Sequence, residues 1–242
     1  MIDLQCGDCL DLISGVPDGS VALIFTDLPY GQTQNRWDRP LPLDTVWKMF
    51  RRVLRSDGVV ALCCMEPFTS ELVQSNHPWW RYNWHWYNNQ SSGHLNSHKR
   101  PLRVVEHVAV FSPHEPPYYP QMQPGSAYMK GSGNTNTGNY GTQHKVSTDN
   151  PGQRWPIDLL YCPTEGLPGC PNPTRKPLVL CRYMVRTYTR PDDLVLDICM
   201  GSGTTGVAAQ MECRRFIGFE ADKAQFAFAA DRIAARTMLD AL

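Results

Sequence analysis

The sequence has no run of eighteen or more apolar residues, so no segment reads as a membrane-spanning helix. It has no net charge, with 23 Lys and Arg against 23 Asp and Glu, so bulk charge does not name a partner. No internal repeat is present. A composition of 42% apolar and 19% charged residues argues against a disordered chain, a collagen or a coiled coil. The first residues, MIDLQCGDCLDL, lack a basic region followed by an apolar stretch. No secretory leader is therefore expected, and the expected location is the cytoplasm. A second cysteine pair to match the CxxC of Cys6 and Cys9 is also missing, since Cys162 and Cys170 are eight apart. No metal is expected, and the nine cysteines read as reduced core thiols.

What is present is 242 residues, which suits one domain with an excursion. Charge is segregated along the chain. Residues 1–50 hold seven Asp, whereas residues 79–105 hold Arg81, Lys99, Arg100 and Arg103 with no acid. A locally basic middle in a neutral protein leaves a nucleic-acid partner open.

Val21 to Asp27 and Val59 to Cys64 are short apolar runs that read as buried parallel strands. The spacing predicts a helix over Asp44–Leu54 with Asp44 as its N-cap, a turn at Ser56 to Gly58, and a helix over Pro67–Ser75. Tyr82–Tyr87 and Val104–Phe111 are β-rich. Tyr82, Trp84 and Trp86 alternate, which puts three aromatics on one strand face turned to the core. Glu106, alone in an apolar strand, reads as structural. Residues 113–175 are rich in Pro, Gly, Asn and Thr, and read as a flexible linker or as a segment that orders on a partner. Helical periodicity returns over Lys176–Thr189. Leu194–Cys199 and Arg215–Glu220 read as strands, with a helix after Gly206 and another over Ala221–Leu239. Strand–helix alternation on both sides of the excursion predicts one doubly wound α/β sheet.

Two turns carry the chemistry. Gly201-Ser202-Gly203-Thr204-Thr205-Gly206 follows a strand and opens a helix, and Glu220 ends the next strand. Such a turn brings backbone N–H groups and a helix N-terminus to a ligand. Asp197, just before it, disfavours a phosphate and suits a cationic ligand such as S-adenosylmethionine. A nicotinamide dinucleotide is the other reading, and the short stretch after the turn weighs against it. The second turn, Asp27-Leu28-Pro29-Tyr30, ends a buried strand. Its carboxylate and the Leu28 carbonyl offer two acceptors to an amino group, and Tyr30 offers a face to a flat ring. A base presented there must first leave the duplex, at a cost of about a few kcal/mol.

Together the turns resemble the β-group of amino-DNA methyltransferases, which methylate N6 of adenine or N4 of cytosine. The resemblance rests on Asp27-Leu28-Pro29-Tyr30, Asn172-Pro173-Thr174-Arg175-Lys176-Pro177, Asp197 to Thr205 and Gly218-Phe219-Glu220, with the catalytic turn preceding the cofactor turn. It implies a circularly permuted, mostly parallel seven-stranded methyltransferase sheet with S-adenosylmethionine as cofactor. By the same resemblance Asp27 and Leu28, with Pro29 between them and the stacking ring, hold the amino group, and Tyr30 stacks on the base. Asp197, Gly201, Ser202, Gly203 and Thr204 cradle the methionine part, Glu220 takes the ribose, Asp8 lies near the adenine, and Thr174, Lys176 and Pro177 complete the pocket. An acid at position 27 goes with adenine in that group. The sequence departs from the family at Leu28, Asn88 and Cys199. Double-stranded DNA is the implied partner, and a homodimer the implied assembly. Lys99, Arg100 and Arg103 read as phosphate contacts. Residues 113–171 then read as the target-recognition region, with Asn134, Asn136 and Arg154 among side chains of the types that read base edges. An inactive DNA-binding module is a further alternative.

Overall fold

All six residues of Val21–Thr26 are buried, and their side chains alternate between two separate apolar cores. Leu23 and Phe25 enter one core while Val21 and Ile24 enter the other. Val59, Ala61 and Cys63 likewise part from Val60, Leu62 and Cys64. A strand with no polar face must be covered on both sides, and this pattern fixes a central sheet between two helical layers.

The computed structural model describes residues 1–240 apart from 34, 36, 37, 140, 165–168 and 171–173. In chain order the first elements are β1 (Ile2–Cys6), α1 (Cys9–Leu12), β2 (Val21–Thr26), α2 (Leu43–Val53), β3 (Leu54–Cys64), α3 (Phe68–Ser75), β4 (Trp80–Ser92) and β5 (Arg103–Phe111). Six short strands follow: β6 (Gln123–Pro124), β7 (Tyr128–Lys130), β8 (Gly133–Thr137), β9 (Gly141–Lys145), β10 (Thr148–Asn150) and β11 (Gln153–Arg154). The chain then forms β12 (Leu159–Tyr161), α4 (Leu178–Tyr188), β13 (Leu194–Asp197), α5 (Thr204–Met211), β14 (Arg215–Glu220) and α6 (Lys223–Asp240).

The main sheet has eight strands in the order β1-β14-β13-β2-β3-β5-β4-β12. All its neighbours pair in parallel except β3 with β5 and β4 with β5, so only β5 runs against the rest. Helices α4, α5 and α6 contribute to one core, and α1, α2 and α3 to the other. The doubly wound α/β architecture expected from the sequence is therefore present. The strand count is eight rather than seven, because Leu159–Tyr161 adds to β4 with Leu160 buried.

Local expectations held unevenly. Trp84 and Trp86 are buried as read from their alternation. Trp84 Nε1 donates to the Tyr188 hydroxyl at 2.6 Å and Trp86 Nε1 to the Cys162 carbonyl at 2.7 Å, so neither indole N–H is left unpaired. Asp44 is not the N-cap of α2. Pro42 holds that position, and Asp44 lies in the first turn, where its charge still complements the helix dipole. Ser56 to Gly58 are not a separate turn but part of β3, within a register shift against β2. Lys176 precedes α4, which starts at Leu178 because Pro177 caps it in an extended conformation.

Residues Pro120–Ile157 form a unit of their own, narrower than the 113–171 excursion. Segments 113–119 and 158–164 belong to the larger unit, since β12 is pinned into the main sheet. Within the smaller unit the Gly- and Asn-rich stretch is not a plain linker. β8 and β9 pair antiparallel, with Gly141 at φ 66° closing the hairpin. β7 pairs with β10, and β6 with β11.

Candidate active site

β2 and β13 are adjacent, but the crossovers that leave them diverge. From β2 the chain passes through α2 to β3 on one face, and from β13 it passes through α5 to β14 on the other. Loops leaving a sheet in opposite senses open a crevice at the carboxyl ends of the strands, where ligands of such folds bind. A cleft of about 390 Å³ lies there. Asp27 lines it from the β2 side, Asp197, Gly201, Ser202 and Thr204 from the β13 side, and Thr174 and Lys176 from the segment before α4. The Gly-rich turn and Asp27, the first residue of the second turn, thus line one space, whereas Leu28, Pro29, Tyr30, Gly203, Pro177, Glu220 and Asp8 are not among its lining residues.

On the β13 side the glycines make the turn possible. Gly201 and Gly203 have φ 50° and 74°, and a Cβ at Gly203 would meet the Ala229 Cβ at 3.0 Å. Gly203 caps α5, and the Arg232 guanidinium donates to the Ser202 carbonyl and the Thr204 hydroxyl, each at 3.0 Å. Asp197 is buried and accepts from the Cys199 N–H at 3.1 Å. Burial pushes its carboxyl up to about 6, against the opposing pull of the Thr205 hydroxyl. Glu220, half-buried at the end of β14, accepts from Gly201 N and Asp222 N at 2.8 Å each, and burial raises its carboxyl too. Asp8 is exposed just beyond β1, beside Glu220, since Gly7 N donates to the Glu220 carbonyl at 3.0 Å. Its own carboxylate caps α1 through Leu10 N at 2.8 Å.

On the β2 side the Asp27 carboxylate has two partners. Its Oδ1 accepts from the Tyr30 hydroxyl, and its Oδ2 lies 2.5 Å from Lys176 Nζ. Leu28 is buried and Pro29 half-buried. The Tyr30 ring lies 5.0 Å from the Phe68 ring at an interplanar angle of 27°, so one of its faces is already stacked. Burial, with Asp27 alongside, raises the Tyr30 phenol well above its usual range. The loop beyond is held by Asp38, whose two oxygens accept from Gly31 N and Thr33 N at 2.7 Å each. Those bonds outweigh burial and keep the Asp38 carboxyl below its usual range.

Lys176, expected in the cofactor pocket, lines the cleft but bonds to Asp27. Its ammonium also lies 3.7 Å from the Glu106 carboxylate and 6.0 Å from the Trp86 ring. Burial opposes its charge, yet Asp27 and Glu106 hold its pKa above the usual lysine range. Thr174 is exposed, Pro177 is buried, and Asn172 lies outside the described residues. Sequence reasoning overlooked Asp38, Phe68 and the partnership of Glu106 with Lys176. The one available signal was a lone carboxylate in the apolar strand Arg103–Phe111.

The expected DNA contacts fall in both units. Lys99 and Arg100 are exposed in the loop between β4 and β5. Arg103 Nη1 donates to the Glu66 carbonyl at 3.2 Å. In the smaller unit the Asn134 amide oxygen lies 2.8 Å from His144 Nδ1, and the side chain of Asn136 lies outside the described residues. Arg154 lies over the Tyr128 ring at 4.8 Å and donates to the Ser126 and Gln153 carbonyls. Asn88 is buried and accepts from Gln90 N at 2.8 Å. The nine cysteines are free thiols, but Cys6 and Cys213 are exposed rather than in the core.

Comparison with known proteins gives this geometry its context. The chain is 44% identical over 62 residues to the type II methyltransferase M.PvuII of Proteus hauseri, a match that covers 26% of this chain and 18% of that protein. It is 27% identical over 243 residues to the DNA adenine methyltransferase YhdJ of Escherichia coli K12, covering 88% of this chain and 76% of that protein. The fold matches the solved cytosine-N4-specific PvuII DNA methyltransferase with a TM-score of 0.68 at 21% identity, over 97% of this chain and 90% of that one. It matches the M1.HpyAVI–SAM complex with a TM-score of 0.66 at 22% identity, over 96% of this chain and 100% of that one. The profile of the DNA methylase family of N6 and N4 methyltransferases matches residues 21–231, and the chain belongs to that family.

Proposed function

We propose that this protein transfers a methyl group from S-adenosylmethionine to the exocyclic N6 of adenine in DNA. The observation that carries the reading is the shared cleft. A half-exposed carboxylate, Asp27, faces a buried carboxylate, Asp197, and a Gly-rich turn across one crevice at the switch point of the sheet.

The residues on the β13 side fit the cofactor. Asp197 is a buried acid open to the cleft and offers its charge to a cationic amine. Glu220, whose Oε2 accepts from the N–H of the cleft-lining Gly201, offers acceptors for ribose hydroxyls. Neither group suits a phosphate. When bound, S-adenosylmethionine supplies an electrophilic methyl carried on a sulfonium, which the amino nitrogen attacks.

The residues on the β2 side act on the base. The Asp27 carboxylate and the Leu28 carbonyl accept the two amino hydrogens, which draws the nitrogen lone pair out of conjugation and frees it to form the new bond. The nitrogen then releases one proton to the Asp27 carboxylate that already accepts it. Tyr30, already backed by Phe68, offers its other face to the extruded ring. No covalent protein intermediate is required. An acid at position 27 favours adenine by family resemblance, and YhdJ bears the name of an adenine enzyme.

A second reading is cytosine N4, favoured by the fold match to a cytosine-N4-specific enzyme. Expression in a host free of DNA methylation, then digestion of its DNA to nucleosides and mass spectrometry, separates the two. N6-methyladenine is the expected product. N4-methylcytosine alone overturns the adenine assignment, and an unmodified genome overturns the enzyme reading. Exposed Lys99 and Arg100 would contact phosphate and set salt dependence rather than sequence choice.

A further inference from the structure

Asp27, Lys176 and Glu106 come from three separate parts of the chain: the loop after β2, the segment before α4, and the middle of β5. Lys176 Nζ stands between the two carboxylates, 2.5 Å from Asp27 Oδ2 and 3.7 Å from Glu106 Oε2, with the Trp86 ring at 6.0 Å. Asp27 and Lys176 both line the cleft, whereas Glu106 does not. The Asp27 side chain keeps 31% of its surface and Lys176 11%, so Asp27 is the more open of the two to a substrate. A buried ammonium persists only when paired and is costly otherwise, so the arrangement has to be built as a unit.

We propose that Lys176 is a positioning residue for methyl transfer: its ammonium fixes the Asp27 carboxylate at the mouth of the cleft, and Glu106 balances that ammonium so that the array keeps one net negative charge. This deepens the reading of Asp27 as the acceptor of the target amino group and rests on it. With Tyr30 on Oδ1 and Lys176 on Oδ2, the carboxylate is tied at both oxygens and cannot swing with the incoming base. One net negative charge also matches the positive charge that passes from sulfonium to amino nitrogen during transfer. Besides Lys176, the ionisable groups facing Asp27 are Tyr30 on its own loop, Cys63 and Cys64 on β3, Glu106 on β5 and Asp197 on β13. Lys176 and, more remotely, Arg103 are the cations acting on Glu106. Without Lys176, two carboxylates share a dry site with no cation between them, and such a pair takes up a proton at higher pH.

The test is the single-turnover rate of tritiated methyl transfer to unmethylated genomic DNA from a methylase-free host, followed across pH 5–9. S-adenosylhomocysteine affinity is measured by calorimetry in parallel. For Lys176→Met the expected rate at pH 7 is lower by about thirtyfold or more, the acid limb of the profile moves up by about one pH unit, and the affinity changes less than about fivefold. Lys176→Arg keeps the charge and leaves the limb in place. The double variant Lys176→Met/Glu106→Gln restores the net charge. Its limb returns toward that of the wild type while its rate stays at least about tenfold low, because the tether on Oδ2 is still missing. A Lys176→Met profile that superimposes on the wild type overturns the proposal. If that variant does not fold, a double variant with the wild-type rate overturns it equally. Asp27→Ala separates this from the reading beneath it. Turnover retained in Asp27→Ala refutes the role of Asp27 itself, whereas turnover lost there but intact without Lys176 refutes only the positioning role.

Discussion

Asp27 and Asp197 stand at the carboxyl ends of neighbouring parallel strands and line one cleft, although most of the chain lies between them in sequence. One is half-exposed and tied by a hydroxyl and an ammonium. The other is buried and bonded to its own turn. Two acids of one type so placed can hold two different ligands.

Asp27→Ala removes the proposed acceptor of the amino group and leaves the residues of the β13 side in place. Methyl transfer should fall at least about a thousandfold while S-adenosylhomocysteine binding stays within about threefold. Filter-bound tritium and calorimetry measure the two. Unchanged turnover refutes the assigned role.

The raised carboxyl of Asp197 sets a pH dependence with a definite sign. Burial lifts it to about 6, above its value in the unfolded chain, so the folded protein binds this proton more tightly. This group's contribution to the stability of the unliganded protein is therefore greatest at low pH, falls as pH rises toward about 6, and is flat above. Asp197→Asn should stabilise the unliganded protein at pH 8 by about 1–2 kcal/mol in urea titration. Cofactor affinity should run the other way, weakening up to about tenfold per pH unit below 6, because the cationic amine needs the anion. An affinity flat from pH 5 to 8 would contradict the pairing.

Gly203→Ala places a Cβ at φ 74°, 3.0 Å from the Ala229 Cβ and 3.1 Å from the Ile233 Cδ1. Backbone strain and the push on α6 should cost about 1–3 kcal/mol of stability and weaken cofactor binding together. Urea unfolding and calorimetry on the same preparation check both, and loss of neither would show that the turn tolerates a side chain.

Tyr188→Phe removes the acceptor of the Trp84 indole N–H and the partner of the Tyr82 hydroxyl. A buried donor left alone costs about 1–3 kcal/mol. The loss should appear in urea unfolding, with turnover per folded molecule unchanged.

Asp38→Ala frees Gly31 N and Thr33 N, the two bonds that close the loop beyond the Asp27 turn. Turnover should drop about tenfold or more through misplacement of Tyr30, with S-adenosylhomocysteine affinity unchanged. Equal losses in both would mean that the loop supports the whole cleft.

The apolar runs, the strand–turn–helix at Gly201 and the acid–proline–aromatic turn were legible because each is written within a few consecutive residues. Side-chain period and turn chemistry act over that range. They suffice for a doubly wound sheet and for two turns at its strand ends. Tertiary structure decided what depends on partners distant in sequence. It set the place of Ile2–Cys6 beside β14 and of Leu159–Tyr161 beside β4, where backbone pairing with a remote strand outweighs weak local signals. It set Lys176, within the cleft, on Asp27, because only packing brings the ammonium between Asp27 and Glu106, where desolvation makes the pairing obligatory. It also gave Glu106 and Asp38 their partners. A carboxylate's neighbours across a fold follow from the fold itself, not from the residues beside it in the chain.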